Sequence, residues 1–173
     1  NNPIFRYENP QAGRLREHHQ FGMECFGGKE PTVEAELINA LMTLLSELGL
    51  KNLSVHINSI GCPECRPRYH QALKNYLGDR IQEMCPTCRE RFEKNPLRIL
   101  DCKEEKCKEI VKDAPSILDC LCDDCKSHFE RLQGLLKAQN IPFSVDPHIV
   151  RGLDYYTKTV FEIIMQSGRE GLA

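Results

Sequence analysis

The run Phe5–Gly27, FRYENPQAGRLREHHQFGMECFG, decides how the rest of the chain is read. Phe5 to Glu8 alternates apolar and charged residues and Gln20 to Phe26 does so in part. The two flanks therefore read as antiparallel strands joined by a long loop that Pro10 and Gly13 punctuate. Arg6, Arg14 and Arg16 bring three guanidinium forks to this one stretch, and that side chain is the best matched to phosphate and carboxylate oxygens. A buried arginine on a strand is costly unless an anion meets it, so the stretch reads as an anion-handling element.

Working outward, Gly27 and Gly28 end the strand pair and Pro31 opens a helix, with Glu34 and Glu36 in the first turn where the helix dipole favours negative charge. Val33, Leu37, Leu41, Leu45 and Leu48, flanked by Ile38 and Leu44, form its apolar face, and Gly49 closes it. Leu53 to Asn58 alternates as a half-buried strand with Val55 and Ile57 on one side. At Ile60 the composition changes, and Gly61 and Pro63 turn the chain into a cysteine-rich segment. Helical spacing is expected over Arg66 to Met84, weakened at Gly78. A short helix over Arg89 to Lys94, a strand over Leu97 to Leu100 and one or two helical turns over Lys106 to Lys112 follow. A longer helix over Asp123 to Gln139 turns Phe129, Leu132, Leu135 and Leu136 inward. Pro142 to Val145 is strand again, and the region Ile149 to Met165 holds a strand expected to rejoin the first sheet.

The fold class is thus α+β: residues 1–60 and 147–173 form an antiparallel sheet with a covering helix, and residues 61–146 form a small, mainly helical inserted domain. An apolar content of 40% and a charged content of 28% are ordinary for a soluble protein, a net charge of −2 argues against binding nucleic acid by bulk charge, and a start without a basic region followed by an apolar one points to a cytoplasmic location. No apolar run has the length of a membrane span, since LINALMTLLSELGL is broken by Asn39, Ser46 and Glu47. The start, without methionine, enters a strand at once, and the end follows a strand without a cap. Both ends read as those of a fragment.

Eight of the ten cysteines fall into pairs: Cys62 with Cys65, Cys85 with Cys88, Cys122 with Cys125, and, at wider spacing, Cys102 with Cys107. A tight turn between paired cysteines leaves both sulfurs on one side, so four pairs make two closed tetrahedral Zn²⁺ sites whose role is structural. Disulfides need an oxidising compartment that nothing else in the chain supports, and an iron–sulfur cluster is the remaining alternative. A helix over Arg66 to Met84 would hold its ends about 28 Å apart, which keeps Cys62 and Cys65 from sharing an ion with Cys85 and Cys88. The preferred grouping joins Cys62 and Cys65 to Cys122 and Cys125, and Cys85 and Cys88 to Cys102 and Cys107. Cys25 and Cys120 stand outside the pairs and read as buried apolar residues.

The opening run resembles motif 2 of the class II aminoacyl-tRNA synthetases in its histidyl form, and VRGLDYYTKTVFE, Val150 to Glu162, resembles the histidine-specific motif of the same family. NPLRILDC, Asn95 to Cys102, and APSILD, Ala114 to Asp119, are similar to the domain inserted in bacterial members. The resemblance covers essentially the whole chain. It implies a partial class II sheet and an inserted domain that meets the tRNA acceptor arm. It implies that Arg6 and Arg151 are catalytic, stabilising charge on the α-phosphate of ATP from two sides. Glu8, Arg14 and Arg16 join Arg6 in ATP binding, and Asn9 departs from the family pattern, where another arginine is common. Gln20 and Glu24, four apart on one strand, would bind the substrate histidine together with Arg151, Tyr155 and Tyr156. His18 and His19 face opposite ways on a strand and read as structural.

The implied reaction is formation of histidyl-adenylate from histidine and ATP with Mg²⁺, then transfer to tRNA(His), by a parent protein that is a homodimer. The family places part of the ATP site, some magnesium ligands included, outside this chain, so the 173 residues alone are expected to have little or no activity. Two other readings compete: a non-catalytic histidine-sensing regulatory paralogue, and a zinc-stabilised nucleic-acid-binding module. The first tends to lose the arginine of RGLDYY; the second leaves Gln20, Glu24 and Tyr156 unexplained. Residues 61–146 carry 15 basic and 15 acidic residues, so a nucleic-acid contact there needs clustering, for which Arg66, Arg68, Arg89, Arg91, Lys94 and Arg98 are the candidates.

Overall fold

The computed structural model describes residues 2–7, 9–10, 12–150 and 155–165. Two short strands, β1 (Asn2–Phe5) and β2 (Glu17–Gln20), pair antiparallel with Asn2 opposite Gln20 and Phe5 opposite Glu17. Helix α1 (Pro31–Glu47) follows, then β3 (Leu53–Ser59). The cysteine-rich part contains α2 (Cys65–Leu77), α3 (Pro86–Lys94) and α4 (Glu105–Val111), and α5 (Asp123–Ala138) leads back to β4 (Phe143–Val145) and β5 (Thr159–Met165).

The architecture is mixed α/β, with two small sheets where the sequence suggested one. β5 does not rejoin the β1–β2 ribbon; it pairs antiparallel with β3, Leu53 opposite Met165 and Ser59 opposite Thr159. β4 lies on the other side of β3 and runs parallel to it, Val55 opposite Phe143. A parallel partner follows from a helical crossover, and α5 is that crossover; residue alternation carries no information on strand direction. The first strands also lie earlier than expected. Gln20 faces Asn2, and residues 21–26 lie outside the ribbon.

Two more expectations fail locally. The helix expected over residues 66–84 ends at Leu77, because Gly78 takes φ 41° and the chain tightens into a 3-10 turn over Gly78–Glu83. The segment expected to be a strand at Leu97–Leu100 is a 3-10 turn over Pro96–Ile99. Pro96 keeps Asn95 out of the helical region, at φ −154° and ψ 86°, and opens the turn, and a four-residue apolar run is ambiguous between strand and helix.

Two apolar clusters hold the molecule together. One joins α1, β3 and α5 through Ala35, Ile38, Val55, Ile57, Phe129, Leu132, Leu136 and Ile141. On α1 the fully buried line is Ala35 and Ile38, turned from the leucine stripe expected, and Leu48 is 69% exposed. The other gathers Tyr69, Leu73, Leu77, Met84, Ile99, Val111 and Ile117 with Ile60, Ile149 and Val160, so residues bracketing the strands also enter the cysteine-rich core. Leu132→Ala should therefore cost about 3 kcal/mol in urea unfolding, and Leu48→Ala about 0.5 kcal/mol or less.

Candidate functional site

Arg6 lies just past β1, partly buried, with its backbone N–H on the Arg16 carbonyl at 2.8 Å. Its guanidinium donates to Nε2 of His18 at 2.6 Å. The cross-strand partner of this arginine is thus an imidazole, and His18 on β2 orients it. Arg16 reaches Oδ1 of Asn9 at 3.4 Å, and Arg14 is exposed. Gln20 ends β2, while Glu24 lies beyond any strand and is exposed, so the shared-face argument for that pair does not hold. The rings of Tyr155 and Tyr156 sit 4.8 Å apart and both are exposed. Glu8 and Arg151 lie outside the described residues. The ribbon and β5, the strand that follows Tyr155 and Tyr156, belong to different sheets, so hydrogen-bonded strand pairing does not bring Arg6, Gln20 and Glu24 beside the tyrosines.

The cysteines converge. Sγ atoms of Cys62, Cys65, Cys122 and Cys125 lie within 4.8 Å of one another, and so do those of Cys85, Cys88, Cys102 and Cys107. Sulfur separations of 3.5 Å for Cys62–Cys65, 3.8 Å for Cys62–Cys122 and 3.8 Å for Cys85–Cys102 can be compared with a tetrahedron. Metal–sulfur bonds of about 2.3 Å, as zinc makes, give edges of about 3.8 Å. A disulfide would need about 2.05 Å, and all ten cysteines are free. The fit to a four-thiolate ion extends to the surrounding amides: Cys122 N–H points at Sγ of Cys65 at 3.1 Å, and Cys85 N–H at Sγ of Cys107 at 3.3 Å.

Burial would raise the Cys62 thiol, yet backbone N–H donors of Cys65 and Glu64 outweigh it and bring the pKa to about 7. An N–H from Cys88 likewise lowers Cys85. Burial and crowding by neighbouring sulfurs push Cys88 and Cys125 upward. Gly61 sits at φ +65°, and a Cβ there would fall 2.6 Å from Cβ of Cys65. Cys25, expected to be buried, is exposed, because no strand forms there; Cys120 is half-buried against the cysteine-rich core.

Sequence reasoning missed a polar chain beside the first sulfur cluster. His128 of α5, buried, meets Oε2 of Glu34 at 2.9 Å through Nε2, and Thr159 donates to the same oxygen at 2.7 Å. Lys158 Nζ lies 3.4 Å from Nδ1 of His128 and 3.0 Å from Oδ2 of Asp124. The available signal was the helical position of His128, four residues before Leu132 on the inward face. A cleft of about 530 Å³ opens elsewhere, between Leu100–Lys103 and α4 on one side and Asp146, His148–Val150 and Glu162 on the other.

A family model described as Histidyl-tRNA synthetase matches residues 1–173. The chain belongs to the histidyl-tRNA synthetase family. A histidine–tRNA ligase of Clostridium novyi is 60% identical over 162 residues, covering 94% of this chain and 39% of the relative. One of Moorella thermoacetica is 56% identical over 164 residues, covering 95% and 39%. The apo histidyl-tRNA synthetase of S. aureus superposes with a TM-score of 0.69 at 36% identity, over 93% of this chain and 36% of that one. The chain thus spans about two fifths of the length of these synthetases.

For this histidyl-tRNA synthetase segment, elemental analysis should find two divalent ions per chain, one per sulfur cluster. Cys65→Ser and Cys88→Ser should each remove one. Gly61→Ala should loosen the first ion selectively, since the new methyl group displaces Cys65.

Proposed function

We propose that this chain is part of a histidine–tRNA ligase that activates histidine with ATP to histidyl-adenylate and transfers the histidyl group to tRNA(His). The observation that carries the reading is the 56–60% identity to histidine–tRNA ligases across some 94–95% of the chain. It favours a catalyst over a histidine-sensing paralogue, as does the intact RGLDYY run.

In the first step a histidine carboxylate oxygen attacks the α-phosphorus and pyrophosphate leaves. Negative charge grows on the α-phosphate oxygens, which the guanidinium groups of Arg6 and Arg151 are suited to stabilise. Glu8, Arg14 and Arg16 engage the nucleotide. Gln20, Glu24, Tyr155 and Tyr156 recognise the amino acid, whose ammonium and ring N–H need acceptors. The exposure of Arg14, Arg16, Gln20 and Glu24 leaves these side chains accessible to a ligand. The Arg6–His18 bond supports a role for Arg6, since it fixes the guanidinium while leaving other N–H donors for an anion. Mg²⁺ accompanies ATP and adds positive charge at the phosphates.

Zinc is the ion that the two sulfur clusters would hold, in a structural role, because four protein thiolates leave no open coordination position. Residues 61–146 would form the inserted domain against the tRNA acceptor arm, in a cytoplasmic, homodimeric enzyme. No helix among the described residues is long and apolar enough to cross a membrane.

Histidine-dependent ATP–pyrophosphate exchange by the full-length protein tests the reading. Exchange should fall by about a hundredfold or more in Arg151→Ala, the scale of losing one charge-stabilising group. The 173 residues alone should show none. Full activity of Arg151→Ala, or exchange driven by another amino acid, would refute the assignment.

A further inference from the structure

The chain Asp124, Lys158, His128, Glu34, Thr159 has no role in the reaction as described, yet it grips the residues that directly follow Tyr155 and Tyr156. Lys158 adopts φ 61°, a left-handed conformation that a non-glycine residue holds only when its surroundings impose it. Here they do so from two directions. Its backbone is bonded on both sides, the carbonyl accepting from Ile60 N–H at 2.7 Å and the N–H donating to Gly61 at 2.8 Å. Its side chain crosses to α5, where Asp124 and His128, one helical turn apart, receive the ammonium.

The donor inventory of the chain is consistent throughout. An ammonium only donates, so Nδ1 of His128 accepts; Nε2 then carries the hydrogen and donates to the Glu34 carboxylate, which also accepts from Thr159. Two consecutive residues, Lys158 and Thr159, are thereby tied to two different helices, α5 and α1.

We infer that Lys158, His128 and Glu34 are positioning residues that set the placement of Tyr155 and Tyr156 for the amino acid, an inference that rests on the ligase reading of that tyrosine pair. Glu34, seen alone, is a helix-dipole residue, and His128 a buried core histidine. The convergence of both on the tail of the tyrosine segment gives them a further task. The substrate contacted through this device is the imidazole amino acid; Arg14 and Arg16, assigned above to the nucleotide, lie in the stretch between β1 and β2.

The test uses the full-length protein and the variants Lys158→Met, His128→Gln and Glu34→Gln, with Lys158→Arg as the conservative replacement. Lys74→Met, which breaks the Lys74–Glu93 pair, is the control. KM for histidine in the exchange assay should rise about tenfold in the first three, within the range expected when a binding group is displaced by about an ångström. KM for ATP should stay within about twofold, and Lys158→Arg should regain most of the loss. A purely structural network would instead lower the melting temperature and the active fraction with KM for histidine unchanged, and that result overturns the inference. Amide hydrogen exchange of residues 155–159 gives an activity-free readout: it should quicken about tenfold in Lys158→Met and Glu34→Gln and not in Lys74→Met. Unchanged protection there also overturns the inference. A wild-type protein lacking histidine-dependent exchange would sink the ligase reading by itself, while the amide measurement would still decide whether the grip exists.

Discussion

The pairing of β3 with β5 is the constraint on which the remaining structure depends. Ser59 faces Thr159 a hundred residues later, and the ladder continues past the strands through Ile60, Gly61 and Lys158. Everything between must leave and return at neighbouring backbone positions. That closure is entropically expensive, and the compensation comes from burying Val55, Ile57, Phe129, Leu132 and Leu136 in one cluster under the sheet. α5 serves both ends of this arrangement. Its first turns carry Cys125 and His128, facing the sulfur cluster and the polar chain, and its later turns carry the leucines of the core.

Much of the helical part was readable in the sequence, because strong periodicity and clear punctuation coincide there. Pro31 and Gly49 bracket α1, and Phe129, Leu132 and Leu136 mark the inward face of α5. The sulfur clusters were readable for a different reason: ligand spacing is a local property, and reach along a helix limits which pairs can meet. Although α2 is shorter than expected, the turn after Gly78 keeps Cys62 and Cys65 away from Cys85 and Cys88.

What could not be read depends on partners distant in sequence. Strand direction at Phe143–Val145 and the choice of β3 over the ribbon by Thr159–Met165 are both settled by pairing, which alternation does not encode. The same holds for Glu34. Within its own helix it sits where any first-turn carboxylate would, and only the arrival of His128 and Thr159 from 94 and 125 residues away shows its second use. Among the ribbon residues, the bond between Arg6 and His18 was not legible, since reading the two histidines as structural left their partners open.

The two sulfur clusters are nested. Cys62 and Cys122, 60 residues apart, close an outer loop, and Cys85 and Cys102, 17 apart, close an inner one lying wholly within it. Closing the outer loop is dearer by about 1 kcal/mol in chain entropy, so the inner ring is the one favoured to assemble first. Because one loop lies within the other along the chain, a metal ion lost from one cluster would leave the sulfurs of the other in place. With ions bound, opening the inner loop would leave the base of the excursion tied, whereas opening the base would leave the inner ring as a smaller closed unit.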